Sequence, residues 1–139
     1  MFKILIVEDN AEYRKTLKAL LRQQFPSAAI NEAKDGKGAI RKLNDFSPDL
    51  IFMDIRLPGE SGLELTKIIK GLYPGKTIII LTSHDLPEYR KAAIEAGADY
   101  FLSKGASKAE EIFELVGRIS SGRKSKYAGR RWGANHNYV

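Results

Sequence analysis

Short apolar runs alternate with longer stretches of helical spacing along the first 120 residues. The apolar runs, each bounded by turn residues, are Lys3–Val7, Ala28–Ala33, Leu50–Met53, Thr77–Leu81 and Tyr100–Ser103. Several of them are apolar at nearly every position, which is typical of strands buried on both faces of a parallel sheet. The alternation therefore predicts repeated βαβ units in a single α/β domain.

The stretches between the runs carry apolar residues three and four positions apart, as amphipathic helices do. In the first, third and fifth helices these residues are Leu17, Leu20 and Leu21; Leu65, Ile68, Ile69 and Leu72; and Ile112, Leu115, Val116 and Ile119. The turn residues Pro26, Pro74 and Gly97 end the first, third and fourth helices. The second helix is predicted at about Gly36–Leu43.

Four sequences have the spacing of a capping box, in which an N-cap side chain and a carboxylate three residues later satisfy free backbone N–H groups. They are Asp9–Glu12, Ser61–Glu64, Asp85–Glu88 and Ser107–Glu110. Five strands and five helices predict a flavodoxin-like, doubly wound parallel sheet of order 2-1-3-4-5 with helices on both faces. Such a sheet binds ligands at the carboxyl ends of its strands, where strands one and three meet.

Composition limits the class of protein. The 139 residues, 43% of them hydrophobic, suffice for one core. We predict one folded domain at residues 1–120 and a disordered basic tail or linker stub at 121–139. Because no apolar stretch approaches the roughly 20 residues that span a bilayer, we expect a cytoplasmic protein without membrane contact. The absence of cysteine excludes disulfides and thiolate chemistry.

The net charge of +6 belongs to the end of the chain. Residues 118–139 hold six of the 23 lysines and arginines and none of the 17 acids, so the first 117 residues are neutral overall. Basic residues interleaved with Tyr127, Trp132 and Tyr138 would allow weak nucleic-acid binding. We favour a disordered extension or a linker stub, because the segment has no apolar periodicity and no recognition-helix pattern.

Polar residues follow four of the predicted strands. Glu8 and Asp9 follow the first, Asp54 the third, Thr82 the fourth and Lys104 ends the fifth. The first three are carboxylates that meet at the switch point, where their mutual repulsion would raise their pKa values unless a cation neutralised them. Oxygen ligands with no soft ligand among them suit Mg²⁺.

A divalent ion at this point would let a phosphoryl group approach Asp54. Lys104 would add a second positive charge, and the Thr82 hydroxyl would donate a hydrogen bond to a phosphoryl oxygen. The set predicts an aspartyl-phosphate site. The simpler interpretations are that Asp9 only caps a helix, that Asp54 only forms a turn, and that Thr82 and Lys104 are ordinary surface residues.

These residues lie in recognisable motifs. The motifs are Val7–Asn10, Met53–Gly59, Ser61–Glu64, Leu81–Ser83 and Gly97–Lys104. Over about residues 1 to 120 the sequence resembles the receiver domain of two-component response regulators, and it looks most like receivers of the LuxR-type transcription-factor class.

The resemblance implies roles for the strand-end residues. Asp54 would accept phosphate from a sensor histidine kinase and would also ligate Mg²⁺. Asp9 would bind the metal directly, Glu8 mainly through water, and Arg56 through its backbone carbonyl. Thr82 and Lys104 would bind the phosphoryl oxygens. The chain would then be a phosphoacceptor switch and not an enzyme with a separate substrate.

The resemblance also implies how the signal leaves the site. Phe101 would swing inward when Thr82 moves, and the surface of the fourth helix, fifth strand and fifth helix would form a homodimer or meet an output partner. Transcription would be controlled through a DNA-binding output domain outside this sequence. Arg56 and His84 would flank the phosphoryl group and tune its hydrolysis.

Two residues depart from the common pattern of that family. Gly105 replaces the proline that often follows the lysine, so we expect a trans peptide bond and a different or looser loop after Lys104. Phe101 replaces tyrosine and has no hydroxyl with which to lock an inward position. The sequence leaves open whether Phe101 is a static, partly buried aromatic or a mobile one.

Three other functions fit the sequence less well. A nucleotide or flavin binder needs a small-residue phosphate loop after the first strand, where Glu8-Asp9-Asn10 would repel phosphate. A phosphatase of the haloacid dehalogenase type uses a second aspartate at the position that Arg56 occupies here. A receiver-like module that is never phosphorylated would not need the full set of acids, hydroxyl and lysine.

Overall fold

The computed structural model describes residues 1–122 as a parallel sheet, five helices and one short hairpin. The strands are β1 Lys3–Val7, β2 Ala29–Ala33, β3 Leu50–Met53, β4 Arg56–Leu57, β5 Glu60–Ser61, β6 Thr77–Thr82 and β7 Tyr100–Ser103. The helices are α1 Ala11–Gln24, α2 Gly36–Asp45, α3 Gly62–Leu72, α4 Pro87–Ala96 and α5 Ala109–Ser120.

The main sheet has the strand order β2-β1-β3-β6-β7, and every neighbouring pair is parallel. Because β4 and β5 form a separate antiparallel pair, β6 and β7 are the predicted fourth and fifth strands, and the predicted order 2-1-3-4-5 is confirmed. The chain leaves β1 towards β2 on one side and leaves β3 towards β6 on the other. Right-handed crossovers in opposite directions put helices on both faces and open a crevice where β1 and β3 end.

The sheet is the centre of the core. All residues of β3, β6 and β7 are buried, because helices cover both faces and leave no polar side to the strands. Helix α1 contributes Leu17 and Leu21 to this core, and α3 contributes Leu65 and Ile69. Burying each such side chain stabilises the fold by about 1.5–3 kcal/mol.

The sequence pattern predicted wider buried faces on α1 and α3 than the structure has. Leu20 of α1 and Ile68 and Leu72 of α3 belong to the helical pattern, yet all three are exposed, Leu72 by 66%. Helical spacing alone does not reveal how wide a stripe the sheet can bury.

The predicted start of α1 at Asp9 was wrong. Asn10 is the N-cap residue, and its Oδ1 accepts a hydrogen bond from the Tyr13 N–H at 3.0 Å. Asp9 is exposed and belongs to the segment between β1 and the helix. Its carboxylate is therefore not used as a helix cap.

The predicted starts of α4 and α5 were also wrong. Helix α4 begins at Pro87, whose fixed φ suits a first helical position, and it has no side-chain cap. In α5 the N-cap is Lys108, whose N–H donates to Glu111 Oε1 at 3.1 Å. The boxes Asp85–Glu88 and Ser107–Glu110 are therefore out of register with the helices.

Other helix ends agree with the sequence. Ser61 caps α3 as predicted, with Oγ accepting from the Leu63 N–H at 3.1 Å. Gly97 ends α4 in the left-handed region, with φ 96°, which glycine adopts without strain. Helix α2 is two residues longer than predicted and is capped by Asp35, whose Oδ1 accepts from Gly38 at 2.8 Å.

The sequence also made predictions about the peptide bond after Lys104, membrane contact and the basic tail. All peptide bonds of the described residues are trans, including the one between Lys104 and Gly105. None of the helices within residues 1–122 has the length and apolar character needed to cross a bilayer. The basic tail predicted for 121–139 lies, beyond residue 122, outside the described residues.

Candidate functional site

Glu8 and Asp9 come directly after β1, at the carboxyl edge of the sheet. The Glu8 N–H donates to the Ala33 carbonyl at 3.0 Å, which continues the pairing of β1 with β2. The Glu8 side chain is buried, at 3% exposure for the residue, and its Oε2 accepts from the Asn10 N–H at 3.0 Å. The neighbouring Asp9 is exposed. One carboxylate is thus fixed inside the crevice while the next faces its mouth.

Asp54 follows β3 on the neighbouring strand. Its N–H donates to the Val7 carbonyl at 3.1 Å, and its Oδ1 accepts from the Ile55 N–H at 2.7 Å. The residue is 7% exposed. Backbone pairing and a local hydrogen bond therefore hold the carboxylate rigidly, with Oδ2 left for contacts across the crevice.

A glycine closes the loop behind Asp54. The Gly62 N–H donates to the Ile55 carbonyl at 2.7 Å, which brings α3 back against the end of β3. A Cβ built on Gly62 would overlap the backbone carbonyl oxygen of Asp54. This close approach of two backbones requires glycine.

The three predicted acids meet at one point. Glu8, Asp9 and Asp54 each offer a carboxylate oxygen, and these oxygens lie within 4.8 Å of one another. All three are hard oxygen ligands of the kind that Mg²⁺ and Ca²⁺ prefer. The donor set therefore fits a hard divalent cation.

Lys104 reaches the same point from β7, on the other side. Its Nζ donates to Glu8 Oε1 at 2.5 Å and to Asp54 Oδ2 at 3.0 Å. Its backbone N–H donates to the Thr82 carbonyl at 2.8 Å, so the lysine is anchored to the end of β6. The ammonium bridges the two buried carboxylates.

The charged groups in this cluster shift one another's pKa values. Burial raises the pKa of the Glu8 carboxyl above its ordinary value, Asp54 adds to the rise, and the hydrogen bonds from Lys104 and Asn10 oppose it. For Lys104, burial acts to lower the pKa, but hydrogen bonds and attraction from Glu8 and Asp54 outweigh it and raise the value. Lys104 is therefore fully charged at neutral pH, and an added cation would counter the effect of burial on Glu8 by favouring its ionised form.

Thr82 is the last residue of β6 and is fully buried. Its Oγ1 accepts a hydrogen bond from the His84 N–H at 3.2 Å, which holds the start of the following loop. The hydroxyl can still donate its own hydrogen. The Thr82 hydroxyl can therefore donate a hydrogen bond to an acceptor in the crevice.

Arg56 and His84 share a neighbour on α4. The Arg56 Nη2 donates to the Tyr89 hydroxyl at 3.4 Å, and the His84 and Tyr89 rings have centres 6.0 Å apart. Sequence reasoning placed Arg56 and His84 beside the site but missed Tyr89. Its position on a helix gives no local signal of contact with two separate loops.

Phe101 lies inside the protein, with 0% exposure, so it is fully and not partly buried. The guanidinium of Arg90 on α4 stacks over its ring, and Asp85 pairs with that guanidinium. The residue is the second of β7, where helices cover both faces of the strand.

The loop after Lys104 is held without proline. The Ser107 N–H donates to the Ser103 carbonyl at 2.8 Å, and the Ala106 N–H donates to Ser103 Oγ at 3.4 Å. Ser103 therefore turns the chain through its carbonyl and its hydroxyl.

Sequence reasoning also missed Tyr13. Lys104 Nζ lies 4.3 Å from the centre of its ring. Arg14, the next residue, donates to the Glu8 carbonyl at 2.8 Å and pairs with Glu32 on β2 at 2.6 Å. The first turn of α1 is thereby tied to the acidic segment before it.

Comparison with known proteins identifies the family of this chain. Residues 4–116 match the family described as response regulator receiver domain. The chain is 37% identical over 133 residues to the transcriptional regulatory protein LiaR of Bacillus subtilis, covering 94% of this chain and 63% of LiaR. It is 36% identical over 102 residues to the chemotaxis protein CheY of Halobacterium salinarum, covering 73% of this chain and 83% of CheY.

A solved structure supports the similarity to the LuxR-type class. The two-component response regulator of the LuxR family from Aurantimonas has a TM-score of 0.78 and 28% identity, covering 96% of both chains. The predicted similarity to the LuxR-type class is confirmed. Fold, acidic crevice and family match agree, and the chain belongs to the response regulator receiver domains of two-component systems.

Proposed function

We propose that this receiver is switched by phosphorylation of Asp54, with a sensor histidine kinase as the phosphoryl donor. The single observation that carries the proposal is the Lys104 ammonium, which bridges Glu8 and Asp54 at 2.5 and 3.0 Å while Asp9 completes an acidic cluster. A structural salt bridge would need only one carboxylate. Three acids around one lysine leave an excess of negative charge, which suits a site that binds a cation from solution.

Glu8, Asp9 and Asp54 would hold Mg²⁺, with the backbone carbonyl of Arg56 as a further ligand. Their oxygens already lie within 4.8 Å of one another. When bound, the ion supplies positive charge between the attacking carboxylate and the phosphoryl oxygens. Glu8, which burial disfavours as an anion, would gain most from that charge.

The chemical step is a phosphoryl transfer to carboxylate. An oxygen of Asp54 forms a bond to phosphorus while the bond between phosphorus and the donor breaks, and its electron pair stays with the donor. On the kinase the donor atom is a histidine nitrogen; in a small phosphodonor it is an oxygen. Lys104 and Thr82 hold the phosphoryl oxygens, Lys104 by its charge and Thr82 by its hydroxyl hydrogen.

The added group carries about two negative charges, enough to bias a two-state element. Thr82 and Phe101 would pass the change to the surface of α4, β7 and α5, which dimerises or meets an output partner. DNA binding and transcription control would then lie in an output domain beyond this sequence, with weak contacts at most from the basic tail. Arg56 and His84 would set how readily water removes the phosphate.

The test uses acetyl phosphate with Mg²⁺ and intact-protein mass spectrometry. The wild-type chain gains the mass of one phosphate, and the gain is absent after EDTA treatment and in Asp54→Asn. The control Asp45→Asn removes an exposed carboxylate at the end of α2 and leaves the gain unchanged. A full gain in Asp54→Asn would overturn the assignment.

A further inference from the structure

The Lys104 ammonium has an aromatic neighbour as well as its two carboxylates. Glu8 and Asp54 accept its hydrogen bonds, and the centre of the Tyr13 ring lies 4.3 Å from Nζ. The lysine side chain is only 15% exposed. The ammonium is therefore enclosed by two anions and the face of one ring.

The Tyr13 ring is fixed to the segment that carries the acids. Its backbone N–H donates to Asn10 Oδ1 at 3.0 Å, in the first turn of α1. The next residue, Arg14, donates to the Glu8 carbonyl at 2.8 Å. The ring thus keeps its place relative to Glu8 and Asp9 on one side and to Lys104 on the other.

The three contacts of Lys104 respond differently to a bound cation. A divalent ion at Glu8, Asp9 and Asp54 would compete for the oxygens that now accept from the lysine. The ring face attracts an ammonium through its quadrupole and carries no net charge, so the ion does not compete for it. Lysine has a flexible four-carbon stem, and without the ring it would be free to move away once the carboxylates are engaged.

We propose that Tyr13 is a positioning residue, whose ring face keeps the Lys104 ammonium beside Asp54 when a cation engages the carboxylates, so that Lys104 is in place for the phosphoryl group. The inference rests on the proposed phosphorylation of Asp54 and adds a residue to that site.

The test compares two substitutions at one position. Tyr13→Phe keeps the ring face and loses the hydroxyl, whereas Tyr13→Leu keeps apolar volume and loses the ring. The control is Tyr73→Leu, which removes a second tyrosine whose ring has a lysine, Lys76, at 5.3 Å but which lies after α3, far from the acids.

Three measurements are made on each protein. They are Mg²⁺ affinity by calorimetry, affinity for beryllium fluoride, which mimics a phosphoryl group, by ¹⁹F NMR, and the initial rate of phosphorylation by acetyl phosphate. In Tyr13→Leu we expect the rate and the beryllium fluoride affinity to fall about fivefold, the size of a partly desolvated cation–π contact. Mg²⁺ affinity should stay within about twofold. Tyr13→Phe and Tyr73→Leu should match the wild type.

Two results would overturn the role. One is a Tyr13→Leu protein with wild-type rate and affinity. The other is a parallel loss of Mg²⁺ affinity, which would make Tyr13 a packing residue of α1. An equal loss in Tyr13→Phe would assign the effect to the hydroxyl and contradict a role of the ring face.

A fourth measurement separates this inference from the proposed function. The ε-methylene protons of Lys104, assigned with Lys104→Arg, should show an upfield ring-current shift in Mg²⁺-saturated wild type and Tyr13→Phe but not in Tyr13→Leu. Loss of that shift on adding Mg²⁺ to the wild type refutes the positioning role. If the wild type takes up no phosphate while the shift persists, the proposed function fails and the positioning of Lys104 stands.

Discussion

The guanidinium of Arg90 lies 5.0 Å from the centre of the Phe101 ring and covers it. Asp85, at the start of the same loop–helix segment, holds the guanidinium through a 2.5 Å contact between its Oδ1 and Arg90 Nε. Phe101 is fully buried although it lies on the edge strand β7. Arg90 of α4, paired with Asp85 in the loop before the helix, thus closes the core over the aromatic of the proposed switch.

Removing this cover should destabilise the fold. In Arg90→Ala the Phe101 ring loses a cation–π contact and Asp85 loses its partner, so the free energy of unfolding should fall by about 1–2 kcal/mol. The matched control Lys91→Ala removes an exposed cation from the same helix and should change it by less than about 0.5 kcal/mol. Urea denaturation measures both. Equal losses would mean that Arg90 does not cover the core.

Gly62 should tolerate no side chain. In Gly62→Ala the Cβ would overlap the Asp54 carbonyl oxygen, so the loop behind Asp54 must move. We expect a loss of about 1–3 kcal/mol in stability, together with slower phosphorylation by acetyl phosphate.

The control for this substitution lies in the same helix. At Gly71 of α3 a Cβ would meet open space. Because alanine has a higher helix propensity than glycine, Gly71→Ala should stabilise the protein by about 0.5–1 kcal/mol. Thermal unfolding of both variants decides the matter. A stable, normally phosphorylated Gly62→Ala protein would contradict the close packing of α3 against the site.

Glu32 should make stability depend on pH. Hydrogen bonds from Lys18 and Arg14 lower the pKa of the Glu32 carboxyl in the folded state. A lowered carboxyl pKa stabilises the fold above the unfolded pKa, near 4.3, and the contribution is lost as the pH falls below it. Because the pairs are partly exposed, the contribution should be about 0.2–1 kcal/mol.

The substitution Glu32→Gln should therefore lower the unfolding free energy at pH 7 and leave it unchanged near pH 3. The control Glu95→Gln, at an exposed carboxylate of α4, should leave the pH profile unaltered. Denaturation at a series of pH values supplies the comparison. A wild-type pH profile in Glu32→Gln would show that the α1–β2 ion pairs contribute nothing.

Magnesium should stabilise the folded chain through the acidic cluster. A ligand that binds only the folded state raises its stability with concentration, so the melting temperature should rise as Mg²⁺ is added and fall back with EDTA. Asp9→Asn and Glu8→Gln should abolish most of the rise. Glu12→Gln, an exposed acid on α1, should retain it. An undiminished rise in Asp9→Asn would place the cation elsewhere.

Much of the fold could be predicted because burial leaves a direct trace in the sequence. The run Ile78–Leu81 is apolar throughout, and β6 is buried throughout. Helix starts were harder, because capping spacings occur by chance near a true start. The boxes at Asp9 and Ser107 each lie one residue before the observed N-cap, and Asp85 pairs with Arg90 and does not cap α4.

The site residues that directly follow strands could be predicted from the sequence. Because parallel strands end at one edge, Glu8, Asp54 and Lys104 had to approach one another once the strand order was right. Tyr13 and Arg90 were not predictable in this way. They lie on helices, and their contacts with Lys104 and Phe101 depend on how α1 and α4 pack on the sheet, which no local pattern encodes.

The most direct test of the account is to locate the phosphate on the wild-type chain. After treatment with acetyl phosphate and Mg²⁺, borohydride reduction converts a phosphorylated aspartate to homoserine, and peptide mass spectrometry finds the converted residue. The account predicts homoserine at position 54 alone, and none when EDTA replaces Mg²⁺. Conversion at Asp9 or at any other acid, with Asp54 intact, would contradict it.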